Sequence, residues 1–179
     1  MRVKTKNATT HFFSGTSLEY VYFEAIANSI DAGATEISLN IRLPSFTEAG
    51  SLSVTVTDNG NGFNDESFER FCNLLDRPDE QHKGIGRLAY LSYFEKVNVQ
   101  SFFDNKKRSF VFDTQFDGDN HLEETQNEPN RTAIELTEYH RDRIHSYNYV
   151  GLAELSFTGL RTYRGRCAGS PALGHSIKD

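Results

Sequence analysis

The chain has no tryptophan, one methionine, four prolines and two cysteines in 179 residues. Two cysteines make no disulfide framework, and Cys72 falls in an apolar helical pattern, so Cys72 and Cys167 fit a reducing compartment. No apolar run approaches the roughly 20 residues that a membrane-spanning helix needs, and the polar start MRVKTKNATT has no signal-peptide core. Positive charge is in the minority, with 19 Lys and Arg against 25 Asp and Glu and a net charge of −6. That balance argues against a broad basic surface for nucleic acid, although a local basic patch stays open. The phosphate loop GxxxxGK[ST] is missing as well. The expectation is a soluble cytoplasmic protein with one main domain, long enough to bury a real core.

What is there begins with FEAIANSIDAG, Phe23 to Gly33. Phe23, Ile26, Ala27 and Ile30 take the spacing of a helix stripe that packs on a core. Glu24, Asn28 and Asp31 repeat that spacing within about 60° of one another, so two carboxylates and an amide share one face. Such a face is either a wet surface or a site. The helix is predicted from an N-cap offered by Gly15-Thr16-Ser17 to about Ala32, with Gly33 stopping it.

Strand periodicity follows. Ile37, Leu39, Ile41 and Leu43 alternate with polar residues, as do Leu52, Val54 and Val56, which predicts an antiparallel hairpin. The second strand runs into DNGNGF, residues 58–63, and then into a helix capped by Asn64 with Phe68, Phe71, Cys72 and Leu75 on its buried stripe. DRPDEQHK, residues 76–83, reads as a mobile loop, and GIGRLAYLSYF opens a further helix. Strands are expected near Lys96–Phe103 and Arg108–Phe116 around the turn DNKK, and near Thr132–Leu136 after a polar stretch, DGDNHLEETQNEPN. Beyond about Ile144 neither period persists.

Three motifs could carry chemistry. DNGNG could be a plain hairpin turn. Alternatively, a carboxylate at a strand end beside bare glycine backbone can accept from the exocyclic amino group of a flat base such as adenine. Gly84 and Gly86, with Lys83, could be an ordinary loop or could offer N–H groups to phosphate at a helix start. GIGRLA also matches the dinucleotide fingerprint GxGxxA, with Asp104 near the expected acid. That fingerprint must follow a buried strand, and polar RPDEQHK precedes it here. The six histidines show no matched spacing and read as surface residues rather than metal ligands. The aromatic strands from Phe102 to Phe116 read as sheet and core, not as a base-stacking platform.

The order of acid–amide–acid helix, strand ending in DxGxG, loop and GxG resembles the GHKL group of ATPases. That group includes MutL-type repair proteins, ninety-kilodalton heat-shock chaperones, MORC proteins, type II topoisomerases and histidine kinases. EAIANSIDAGAT is similar to the first motif, DNGNGF to the second and KGIGRLAYL to the third. NRTAIELT, residues 130–137, is similar to the fourth, with Arg131 where a glycine often precedes the threonine. The resemblance covers roughly residues 15–137.

It implies an α+β two-layer sandwich, the Bergerat fold: a mixed, largely antiparallel sheet with helices on one face and ATP held under a lid at residues 76–86. The ATP-binding domain would span residues 1–144, with an irregular tail over 145–179. By the resemblance, Asn28 would ligate Mg²⁺, Asp58 would hold the adenine amino group supported by Thr132, and Gly60 and Gly62 would let the base approach. Lys83, Gly84 and Gly86 would bind phosphates. Glu24 would be the general base for hydrolysis, an acid that histidine kinases generally lack in that role, and Asp31 would stabilise the site. Such hydrolases take a lysine from a following transducer domain, and Lys178 has no supporting context for it. The expectation is therefore that the chain is a fragment, that a protein partner or second copy completes the site, or that ATP gates an interaction with little turnover.

Overall fold

The computed structural model describes residues 16–44, 49–73 and 86–140. In chain order these form α1 (Leu18–Asp31), β1 (Ile37–Arg42), a short 3-10 turn (Ala49–Ser51), β2 (Ser53–Asp58) and α2 (Asp65–Cys72). A 3-10 helix (Gly86–Ser92) follows, then β3 (Phe94–Phe103), β4 (Lys106–Phe112), β5 (His121–Glu124) and β6 (Arg131–Tyr139). The strands make one six-stranded sheet in the order β1-β2-β6-β3-β4-β5. Its described pairings are all antiparallel, so the sheet is largely antiparallel as expected and contains no parallel pair among the described residues.

Register explains where the core sits. Side chains on one face of a sheet recur every second residue and line up across strands. One cross-strand row on the inner face is Ile41, Val54, Leu136, Val97 and Phe112. The next is Leu39, Val56, Ile134, Val99 and Phe110. These two rows join Val21 and Ala25 of α1 and Phe71 of α2 in a single apolar cluster, so both helices cover the same face. The opposite face carries residues such as Thr55, Glu135 and Asn98 and stays open to water. This is the two-layer α+β arrangement.

A third row continues the register with Ile37, Asp58, Thr132, Ser101 and Arg108. Four of its five members are polar, and all four of those are buried. The inner face therefore passes from two apolar rows to a polar one at the end where β2 leads into DNGNGF.

Several expectations change. The buried face of α1 is Leu18, Val21, Ala25 and Ser29, whereas Phe23 is 68 % and Ile30 49 % exposed. The helix offered two apolar stripes, and the one with small residues lies inward because Ala25 and Ser29 let α1 approach the end of β2 closely. Cys72 is exposed rather than on the buried stripe of α2, while Phe71 is buried and Phe68 packs partly against the core. Of the stretch expected to open an α-helix, Gly86–Ser92 forms a 3-10 helix instead, with Leu88 to Ser92 all buried. A row of five consecutive buried residues has no free face for an amphipathic α-helix.

The β3–β4 turn is two residues, Asp104 (φ 47°) and Asn105 (φ 58°), with β4 resuming at Lys106. Positive φ at both positions suits the twist of a tight hairpin. The polar stretch before β6 holds an unforeseen strand, β5, whose residues are all exposed. It pairs with the edge strand β4 and places Glu123 2.9 Å from Lys107. The β1–β2 hairpin and the Asn64 cap agree with expectation, Asn64 Oδ1 accepting from Ser67 N at 2.9 Å. The lid at 76–86 except Gly86, Leu75 of the α2 stripe, and the tail from 145 lie outside the described residues.

Candidate functional site

Asp58 ends β2 on the buried polar row and is 5 % exposed. Its Oδ1 accepts from Gly60 N at 2.9 Å and its Oδ2 from the Ser29 hydroxyl at 2.9 Å. Burial pushes its pKa above the usual aspartate value, against the opposing pull of the Gly60 and Ser29 hydrogen bonds. Each carboxylate oxygen still has acceptor capacity for a further donor. DNGNG is not a hairpin turn, since β2 passes through it into α2. Asn59 Oδ1 accepts from Thr35 N and Glu36 N, both at 2.9 Å, and Asn61 N donates to Ala32 O at 2.9 Å, so the loop is tied to the end of α1.

The rest of the polar row holds the far side of this loop. Ser101 Oγ accepts from Phe63 N at 2.8 Å and shares a hydrogen bond with Thr132 Oγ1 at 2.9 Å. Gly62 has φ of 71°, and a methyl group there would stand 2.7 Å from Ser101 Oγ, so both the conformation and the space call for glycine. Arg108, 4 % exposed, donates to Phe63 O at 2.8 Å and to Asp65 Oδ1 at 2.5 Å, under the rings of Phe68 and Phe103.

The second half of the site lies one helical step away. Asn28, adjacent to Ser29 on α1, donates through Nδ2 to Glu24 Oε1 at 3.2 Å and to the Tyr90 hydroxyl at 2.9 Å. Gly86 sits against Glu24 so closely that any side chain there would overlap its carboxylate. Arg87 stacks 4.4 Å from the centre of the Phe71 ring. Burial pushes its pKa down to about 10, while Tyr90 and Glu24 act to raise it, so it remains a cation at neutral pH near Glu24. Asp31 is exposed at the end of α1, one turn beyond Asn28. Lys83 and Gly84 lie outside the described residues.

The structure thus joins Glu24, Asn28 and Gly86 in one cluster, and Asp58, Gly60 and Ser29 in another. Consecutive residues of α1 connect the two. Thr132 and Gly62 meet through Ser101. Sequence reasoning did not single out Ser29, Tyr90, Ser101 or Arg108. A period-two count would have found two of them, because Ser101 continues Val97 and Val99, and Arg108 begins the alternation of Phe110 and Phe112.

The family model described as "Histidine kinase-, DNA gyrase B-, and HSP90-like ATPase" matches residues 16–147. No curated protein sequence matches the chain. Among solved structures, it is similar to the N-terminal domain of a DNA repair protein, with a TM-score of 0.59 and 16 % identity over 87 % of this chain and 45 % of that one. It is also similar to the 43K ATPase domain of gyrase B from Thermus thermophilus, solved with an aminocoumarin, with a TM-score of 0.53 and 19 % identity. That match covers 79 % of this chain and 42 % of the gyrase domain, so the chain spans less than half of either structure. At these identities the likeness is one of fold.

Proposed function

Because the chain belongs to the histidine kinase-, DNA gyrase B- and HSP90-like ATPase family, we propose that it is an ATP-binding domain that takes ATP with Mg²⁺ and hydrolyses it. The observation that supports this reading most is the use of neighbouring residues on α1. Ser29 is bonded to the buried Asp58, and Asn28 is bonded to Glu24, so a base pocket and a phosphate pocket share one helix. Asp58 accepts the adenine amino group; guanine would set a carbonyl oxygen against it, and an unpaired buried acceptor disfavours that base.

The donors present suit Mg²⁺. With Nδ2 of Asn28 bonded to Glu24 and Tyr90, Oδ1 is the free end of the amide, a hard neutral oxygen of the kind that binds the ion alongside phosphate oxygens and water. When bound, Mg²⁺ neutralises charge on the phosphates. Glu24 takes the proton of the water whose oxygen bonds to the γ-phosphorus as the bond to the ADP oxygen breaks. Gly86, and Lys83 and Gly84 before it, hold the phosphates, and Thr132 supports Asp58 across the register. Asp31 stabilises the rim. A protein partner or a second copy of the chain supplies any further cation, and the protein works in the cytoplasm. No helix among the described residues is long and apolar enough to cross a membrane.

Titration with a non-hydrolysable ATP analogue, with and without Mg²⁺, tests the reading. Asp58→Ala should weaken binding by about 100-fold, the loss of a hydrogen bond to a charged group; unchanged affinity would refute the site. Glu24→Ala should bind but not turn over. Wild-type turnover no greater than that of Glu24→Ala would leave an ATP-gated interaction module instead, and acid-labile phosphate on a partner would indicate a histidine kinase-like domain.

A further inference from the structure

A primary amide has two ends of nearly equal size and opposite hydrogen-bonding character, so its neighbours decide which end faces a ligand. For Asn28 those neighbours come from two elements. Glu24, one turn earlier on α1, receives one hydrogen of Nδ2, and the hydroxyl of Tyr90, on the 3-10 helix, receives the other. Turning the amide over would set Oδ1 against the Glu24 carboxylate oxygen.

The two acceptors are unequal in distance, 3.2 Å to Glu24 and 2.9 Å to Tyr90. Tyr90 is 2 % exposed, so its hydroxyl is held in place from the core side. Its ring belongs to the apolar cluster that fixes the 3-10 helix.

We propose that Tyr90 is a positioning residue: by accepting the second Nδ2 hydrogen of Asn28 it keeps Oδ1 turned toward the cation that accompanies the triphosphate. The inference rests on the ATP-binding reading above. Partners that orient a metal-binding side chain typically change metal affinity by about 10- to 100-fold when removed.

Tyr90→Phe removes the hydroxyl and keeps the ring. Affinity for a non-hydrolysable ATP analogue should be measured by calorimetry in EDTA and in saturating Mg²⁺, together with the melting temperature. The expected result is unchanged affinity in EDTA, a melting temperature within a few degrees of wild type, and about a tenfold loss of the gain that Mg²⁺ confers. In an Asn28→Ala background the same substitution should have no further effect on that gain. A full Mg²⁺ gain in Tyr90→Phe overturns the proposal, as does an equal loss in EDTA, which would mark a packing role alone. An undiminished Tyr90→Phe loss in the Asn28→Ala background would also overturn it. A wild-type chain that binds analogue without any Mg²⁺ gain rejects the Asn28 role and the proposal with it. A wild-type chain that binds no nucleotide in either condition rejects the ATP reading itself.

Discussion

Asp58 concentrates the chemistry of the proposed base pocket in one carboxyl group. Its pKa is raised above the usual aspartate value because burial disfavours the charge more than Ser29 and Gly60 favour it. A raised native pKa means that the folded chain holds this proton more tightly than the unfolded one. Charged Asp58 therefore opposes folding at neutral pH, and that cost is relieved as pH falls through its native value. Nucleotide binding should respond in the opposite sense, since in the proposed site the adenine amino group needs the carboxylate. Affinity for an ATP analogue is expected to fall at a pH above the range where ordinary aspartates titrate, and Asp58→Asn should remove that dependence, as read from isothermal titrations across the acid range. The positions of Asp58 at a strand end and of Asn28 and Glu24 on one helix face were legible in the sequence, because period and glycine spacing each mark them. Tyr90 was not, because nothing local tells an aromatic residue bonded to a site from one that only fills a core.

At the level of elements, α1 and the 3-10 helix meet at Glu24 and Gly86. A methyl group on Gly86 would overlap the Glu24 carboxylate, the far end of a flexible side chain, so Gly86→Ala should displace Glu24 rather than unfold the chain. If Glu24 is the base proposed above, turnover should drop by about 100-fold, the scale of a general base, with a smaller loss of nucleotide affinity; steady-state rates beside a binding titration would show the difference. The α2 cap offers a simpler case. Asn64→Ala removes an acceptor from Ser67 N and should lower stability by about 1 kcal/mol in chemical denaturation. Strands with one buried face could be read from alternation alone. The inward face of α1 could not, because two apolar stripes competed and only the contact of Ser29 with Asp58 decides between them. Nor could β5, which exists through edge pairing to β4 and has no buried residue to give it a period.

Among the described residues, stability and the proposed ligand chemistry occupy different rows of one sheet. Leu136 lies at 0 % exposure in the first apolar row, between Val54 and Val97. Leu136→Ala should lower unfolding free energy by about 3 kcal/mol through the cavity it leaves, with analogue affinity unchanged while the protein stays folded; denaturant melts and a titration at low temperature would check both. The polar row of Asp58, Thr132, Ser101 and Arg108 lies beside these apolar rows without interrupting them. Because that separation is built into the register, a descendant of this chain could lose Asp58 alone and still keep the two apolar rows that hold its sheet to its helices. Inert copies of that sort would be well-formed bodies, able to occupy the same place as an active one and to silence it by presence alone.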